Sequence, residues 1–364
     1  MKFVAKTCSE FGAVMSISET AIEPAGGPLV TLAIPTFNRA VLLRGCIQAA
    51  LAQSYDNIEV LVSDNASSDD TENVLEEFSD RRLRVVRQKT NIGLLPNWNA
   101  CLAAARGEYI VFVSDDDRIS PRFVERCVEV TGSPSRVPIV VALTNCHLAS
   151  FGQIKPARTS QHMTSGLQNG PQVLLAFLTD EISVAICSVM MHTQVLRSRG
   201  GFSLSLPHTA DVAAWAPLLL EKEVGFINEA CATFNLHDDS ETGRLGVAQV
   251  LADGWKVADL ISRTADERIE VASQRHEIKR QAQRCFSRRA LRFLAYHRNS
   301  GASMREVLGF VWLFRNDLMI VDKLSVLKFI AIILCPAPLA ARLRHLRHVF
   351  SSGWRNRQSV VKPG

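Results

Sequence analysis

Three carboxylates in a row, Asp115-Asp116-Asp117, follow Ser114 directly after the short apolar run Tyr109–Val113. A continuous, β-branched run of that length is the pattern of a strand buried on both faces of a parallel sheet. In open α/β sheets ligands bind outside the carboxyl ends of the strands, so the cluster falls where chemistry is done. Adjacent carboxylates repel one another, and a fold that gathers them needs a cation to offset the charge. A hard divalent ion held by one or two carboxylates and by substrate phosphates meets that need. The same residues would also suit a solvated acidic turn capping the helix that begins near Pro121.

The elements that must position this cluster are legible along the first third of the chain. Leu29–Ile34 reads as a buried strand stopped by Pro35, and Arg39–Gln53 as a helix with apolar residues at Val41, Leu42, Cys46, Ala49 and Ala50. Ile58–Ser63 is a second strand ending at Asp64, and Ser68 or Asp69 is placed to cap the helix Thr71–Phe78. Leu83–Arg87 is a third strand. The turn Asn91-Ile92-Gly93 leads to the helix Pro96–Ala105, which Gly107 closes. Strands alternating with helices of about ten residues mean right-handed βαβ units and a doubly wound, Rossmann-like, mostly parallel α/β sheet. The first βα turn carries neither G-x-G-x-x-G nor G-x-x-x-x-G-K-[ST], which disfavours a dinucleotide-binding dehydrogenase and a P-loop enzyme.

After Pro121 the pattern predicts a helix over Phe123–Val130, a strand over Ile139–Leu143 and a polar hairpin or mobile loop over Phe151–Gln168. A helix over Pro171–Leu178, a strand over Val184–Met191, a helix over Thr209–Leu220 and strand-like sequence over Val224–Phe234 complete it. Beyond about Glu241 the chain turns helical and basic. Leu324–Leu334 is apolar but interrupted by Lys328 and closed by Pro336 and Pro338, too short for the ~20 apolar residues a membrane span needs. Followed by arginines, it suits an interfacial or re-entrant segment at a negative membrane surface more than the alternative, a core helix pair with a solvated basic face.

Composition sets the outer bounds. A chain of 364 residues suits one large domain with appendages, and 47% apolar against 21% charged residues supports a sizeable core and excludes a disordered chain. From Arg342 onward there are Arg344, Arg347, Arg355, Arg357 and Lys362 but no Asp or Glu, which points to an anionic surface, membrane lipid or nucleic acid. Nine scattered cysteines, odd in number and without a C-x-x-C pair, argue against a disulfide framework and a zinc site and for a reducing, cytosolic setting.

Several stretches together resemble the nucleotide-sugar-dependent glycosyltransferases of family 2, with the GT-A fold. They are IPTFNR (Ile34–Arg39), Gln53-Ser54-Tyr55 before IEVLVSDNASSDDT (Ile58–Thr71), and Asn91–Pro121 (NIGLLPNWNACLAAARGEYIVFVSDDDRISP). The resemblance covers about Leu29 to Ser240 and is strongest in the first half. It implies that Asp64 meets the nucleotide base and that Pro35, Thr36, Asn38 and Arg39 frame base and ribose. Asn91, Gly93, Asn97 and Asn99 would line the donor pocket beside Asp115 and Asp116. The carboxylates resemble the family's metal-binding D-x-D, with Ser114 standing where an aspartate is usual. Either Asp115 and Asp117 form the pair, or Asp116 is the main ligand; Mn2+ or Mg2+ is the implied cofactor, with Asp116, Asp117 and His237 as candidate metal residues. Asp211, in HTADVAAWAPLL, is similar to the family's acidic motif at a helix head, with Ala210 in place of its Glu. That similarity makes Asp211 the candidate general base and Trp215 a platform beneath the acceptor sugar.

The expectation is thus a flexible extension over residues 1–28, a GT-A domain over 29–240 (donor half 29–120, acceptor half 121–240) and a helical, basic region over 241–364. The resemblance implies an inverting transfer from a nucleoside-diphosphate sugar, of the UDP class, to a glycan or lipid-linked glycan, as in bacterial surface-polysaccharide assembly. The implied setting is cytoplasmic, peripheral on the inner face of the plasma membrane, with no nucleic acid as partner. Two other classes compete. A sugar-nucleotide nucleotidyltransferase would want a glycine-rich basic loop after the first strand, which Pro35–Arg39 is not. A non-catalytic membrane or nucleic-acid-binding protein would survive loss of Asp116 and Asp117.

Overall fold

Seven consecutive buried residues, Val30–Thr36, form β1, the axis of the sheet. The computed structural model describes residues 27–132, 137–148, 152–236, 245–318, 320–321 and 323–334. After α1 (Ala40–Leu51), β2 (Ile58–Asp64) returns parallel to β1, and after α2 (Thr71–Glu76), β3 (Leu83–Arg87) pairs parallel outside β2. α3 (Leu94–Ala104) then leads to β4 (Tyr109–Phe112), parallel to β1 on its other side. These are the βαβ units that the spacing predicts.

β1 runs through Pro35 instead of stopping before it, with Pro35 opposite Ser63. The reason is register. β4 pairs with β1 only from Val30 to Ala33, so the N–H that proline lacks falls beyond that ladder.

In the second half β5 (Arg118–Ile119) and α4 (Phe123–Thr131) precede β6 (Ile139–Leu148), with β7 (Gln153–Lys155) paired on it. β8 (Gly166–Asn169), α5 (Gly170–Leu178), β9 (Val189–His192), α6 (Thr193–Ser198), α7 (Ala210–Trp215) and β10 (Glu223–Leu236) follow. The order is β3-β2-β1-β4-β9-β6-β10-β5, with β9 antiparallel to both neighbours. Two expectations need correcting here. Val184–Met191 begins with a 3₁₀ turn over Ile186–Ser188 because Thr144 Oγ1 accepts from the Ala185 amide (3.0 Å) and pairs with Ser188 Oγ (2.6 Å), holding the chain off the ladder. Thr209–Leu220 breaks after Trp215 into a 3₁₀ stretch, where Pro217 cannot donate to the helical ladder.

Strand alternation feeds two cores. Val30, Leu32 and Ile34 join Tyr109, Val111 and the inner face of α1 and α4, while Ala33, Ile110 and Phe112 join α3, α5 and α7. At the far end from the carboxylates sits a buried polar pin. Glu59 accepts from Thr31 Oγ1 (2.7 Å), the Arg106 amide (2.9 Å) and Arg84 Nε (2.8 Å). Burial alone would raise its carboxyl pKa, but these donors hold it below the usual range.

α8 (Val247–Arg268) and α9 (Ala272–Asn299) lie along each other, α8 against the 3₁₀ stretch 216–220 and α9 against α5. α10 (Met304–Leu313), α11 (Arg315–Leu318) and α12 (Lys323–Leu334) close a separate cluster around Trp255, Leu291 and Leu294. Among the described residues no helix is long and apolar enough to cross a membrane. His237 and the basic stretch after Arg342 lie outside the described residues, as does the expected extension up to residue 26.

Candidate active site

The loops that follow β1, β2 and β3 interlock. Asn38 takes a left-handed conformation (φ 52°), its amide N–H donates to Ser67 Oγ (2.9 Å) and its Oδ1 accepts from the Ser68 amide (2.8 Å). The Ser67 amide in turn donates to Asp64 Oδ1 (2.9 Å). Asp70, rather than Ser68 or Asp69, is the N-cap residue of α2, and Asp69 instead ties two loops: Oδ2 accepts from the Ala40 amide at the head of α1 (3.0 Å), and Oδ1 from the Thr71 amide (3.2 Å). A third tie runs from Asn65, whose Nδ2 donates to Asn91 Oδ1 (2.9 Å) and whose Oδ1 accepts from the Ile92 amide (2.9 Å). Gly93 caps α3 at φ 91°, a conformation that favours glycine, and its amide donates to Asn91 Oδ1.

Asp64 is buried, with Oδ2 making no hydrogen bond and lying 3.2 Å from Arg87 Nε. Asn97 departs from expectation. It sits buried inside α3, its Oδ1 accepting from Ser63 Oγ (2.7 Å) and its Nδ2 donating to the Ser63 carbonyl (2.9 Å). Both amide atoms are spent on bracing α3 to β2, so Asn97 neither caps the helix nor offers a group to a ligand. Asn99 likewise clasps the Phe202 backbone through both amide atoms.

The three carboxylates occupy three environments. Asp115 accepts from Thr36 Oγ1 (2.9 Å) and Arg39 Nη1 (3.2 Å). Asp116 accepts from the same Arg39 Nη1 at 2.8 Å. Asp117 turns inward, where Oδ1 accepts from the Asn235 amide of β10 (3.0 Å) and Oδ2 is buried without a hydrogen bond. Burial, opposed by Arg39 and aided by the Asp116 charge, raises the Asp115 carboxyl to about 6. Burial and then the Asp116 charge raise that of Asp117 to about 7, against the Asn235 amide. Arg39 answers only part of the cluster's charge.

That surplus is the test of whether a divalent ion fits. The Asp116 side chain is 15% exposed against 7% for Asp115, while Asp117 is enclosed. One accessible carboxylate beside an over-charged cluster matches the way Mg2+ is held, with phosphates supplying the other ligands. Among the described residues no three His, Cys, Asp or Glu side chains converge as a complete protein-only metal site. The donor set therefore fits an ion that arrives with phosphate.

On the acceptor side the structure gathers less. Asp211 is half-buried in the first turn of α7; burial pushes its carboxyl up, against the Val212 amide and the Arg289 guanidinium of α9. No described contact joins it to residues 114–117. Trp215 is fully buried, edge-on to Phe177 with centroids 4.7 Å apart. It is a core residue, not an acceptor platform, because one turn beyond Asp211 the helix faces α5. The sequence reading missed Asn235. Its Nδ2 donates to the Asp116 carbonyl, and its Oδ1 pairs with His147 Nδ1 (2.6 Å). No local pattern marks a residue that acts 118 positions away.

A donor-half sheet ordered 3-2-1-4 with an antiparallel strand beyond it, and carboxylates at the end of its fourth strand, defines the GT-A fold. Solved structures agree. S. aureus TarS residues 1–349 in complex with UDP-GlcNAc superimposes with a TM-score of 0.55 at 15% identity, covering 70% of this chain and 72% of that one. The same protein in complex with UDP gives 0.54 at 17% identity, covering 70% of each chain. Residues 31–170 match the model of glycosyl transferase family 2. An uncharacterized glycosyltransferase of Rickettsia typhi is 26% identical over 219 residues, 59% of this chain and 66% of that relative. A GalNAc(5)-diNAcBac-PP-undecaprenol beta-1,3-glucosyltransferase of Campylobacter jejuni is 38% identical over 95 residues, 25% of this chain and 31% of that one. The match thus spans just under two thirds of the first relative and about a third of the second.

Proposed function

We propose that the chain transfers a sugar from a nucleoside diphosphate, of the UDP class, to a hydroxyl of a glycan or lipid-linked glycan, with inversion, in the assembly of a bacterial surface polysaccharide. The observation that carries this reading is the convergence of the loops after β1, β2, β3 and β4, which puts Asn38, Asp64, Asn91 and the 115–117 carboxylates around one edge of the sheet. The UDP and UDP-GlcNAc complexes of TarS support the donor class. In this reading Asp64 Oδ2 accepts the N–H of a uracil-type base, and Pro35, Thr36, Asn38 and Gly93 shape the base and ribose pocket.

Asp116 holds Mg2+ or Mn2+ together with the donor's phosphates, while Asp117 braces the loop from beneath. Once bound, the ion offsets the negative charge that builds on the leaving diphosphate. Arg39 keeps the carboxylate cluster partly neutral and the loop in place. Asp211 takes the proton of the acceptor hydroxyl as that oxygen attacks the anomeric carbon and the bond to the diphosphate breaks. A carboxyl raised by burial suits that task, since a base works best with a pKa nearer the operating pH.

Nucleoside diphosphate release is measured from UDP-, GDP-, CDP- and dTDP-sugars with Mn2+, Mg2+ or EDTA, alongside calorimetric nucleotide binding. Slow hydrolysis of a UDP-sugar, lost in EDTA and in Asp116→Asn, is the expected result. Absence of both turnover and metal-dependent binding for every nucleotide would overturn the reading.

A further inference from the structure

The helical region behind the sheet carries apolar faces that no described residue covers. α12 buries Phe329 and Ile333 against the third cluster, yet Leu324, Leu327 and Leu334 on its other side are 60%, 63% and 67% exposed. With Ala331 they follow the 3-4-3 spacing of one helical stripe. α10 leaves Trp312 and Leu313 open in the same way. A helix apolar on two sides has a second partner for its second side, and exposed apolar residues clustered like this mark an interaction surface.

The charge around these stripes chooses the partner. Lys323 and Lys328 flank the α12 stripe, and the Arg315 guanidinium lies 4.5 Å over the Trp312 ring. The sequence beyond residue 334 adds six more Lys and Arg and no acidic residue. Two copies meeting through this face would bring like charges together, which opposes a dimer. α12 has 12 residues, about 18 Å of helix, well short of the ~30 Å hydrocarbon core, so it can lie in a bilayer surface but not cross it.

We infer that the exposed face of α12 seats the protein on an anionic lipid bilayer, with its apolar stripe at the acyl boundary and Lys323 and Lys328 at the lipid phosphates. The inference stands on this face alone and does not depend on the transfer reaction. The full chain is floated with phosphatidylcholine vesicles containing 30% phosphatidylglycerol, at 50 and 500 mM NaCl, and sedimented without lipid. The two salt concentrations set the Debye length at about 14 Å and about 4 Å.

The expected result is binding that weakens at least about tenfold in Leu324→Glu/Leu327→Glu and about tenfold at high salt, and that Asp116→Asn leaves unchanged. Leu324 and Leu327 are exposed, so their substitution should leave the melting temperature in place. A failure of catalysis in Asp116→Asn with vesicle binding intact separates this surface from the active site. Three outcomes overturn the inference. They are no vesicle binding by the native chain, binding indifferent to Leu324→Glu/Leu327→Glu, and a lipid-free dimer that the same double substitution dissolves.

Discussion

Between β1 and β3 the loops at the strand ends are closed by short side chains: Asn38, Asp69 and Asn65 accept from Ser68, Ala40 and Ile92 of neighbouring loops, and Asp64 accepts from Ser67 within its own. Between β9 and β10 the corresponding edge is closed by packing, with Trp215 and Phe177 sealed in the core and Asp211 facing Arg289. The donor edge is therefore a polar lattice with fixed geometry, set for one kind of ligand. The edge that carries Asp211 is largely apolar scaffolding. A lattice of short bonds tolerates little variation, whereas scaffolding can carry different acceptor surfaces.

Asp211→Asn should lower kcat by about 10²–10⁴-fold and leave the nucleotide Kd unchanged; an unaltered kcat would remove the acceptor edge from the chemistry. Trp215→Ala should cost about 3–5 kcal/mol of stability in urea unfolding, the range for emptying a buried aromatic site. A stable variant with a raised acceptor KM would instead make Trp215 a binding residue.

The carboxylates sharpen the contrast through pH. Asp115 and Asp117, at about 6 and about 7 against the ordinary 3.8, keep protons that an unfolded chain has lost. Their stabilising contribution is complete below about pH 4 and is lost as pH rises through 6 to 7. Asp117→Asn, compared with the native chain in EDTA, should gain about 2 kcal/mol in relative stability between pH 5 and 8; a pH-independent difference would count against the buried-charge account. The smallest effect is expected at Asn38. Asn38→Ala should lose about 1 kcal/mol, from one loop bond and from a left-handed conformation alanine resists, and Asn38→Gly should lose less.

The donor half was legible because its signals are local. Each strand is a short apolar run, and each functional residue follows its strand within a few positions, as Asp64 follows Ser63 and Asp115 follows Ser114. Asn97 and Trp215 misled because residue type cannot say which side of a helix meets the core. An asparagine bonding Ser63 and one bonding a ligand look alike in sequence, and so do a core tryptophan and a sugar platform. The break at Pro217 and the 3₁₀ turn at Ile186–Ser188 depend on contacts with distant segments, and Asn235 was invisible for the same reason.

Asn235 also bears on how such proteins can be recombined. It belongs to the last strand of the second half, yet its amide and side chain hold Asp117 and the Asp116 carbonyl of the first. A chimera that joins this donor half to another relative's acceptor half at Pro121 would bring a foreign β10 to the carboxylate loop. Unless that strand offers an equivalent pair of donors, the loop would lose its lower support although no residue of the donor half had changed. The functional seam between the halves thus runs through β10, more than a hundred residues downstream of the place where the motifs end.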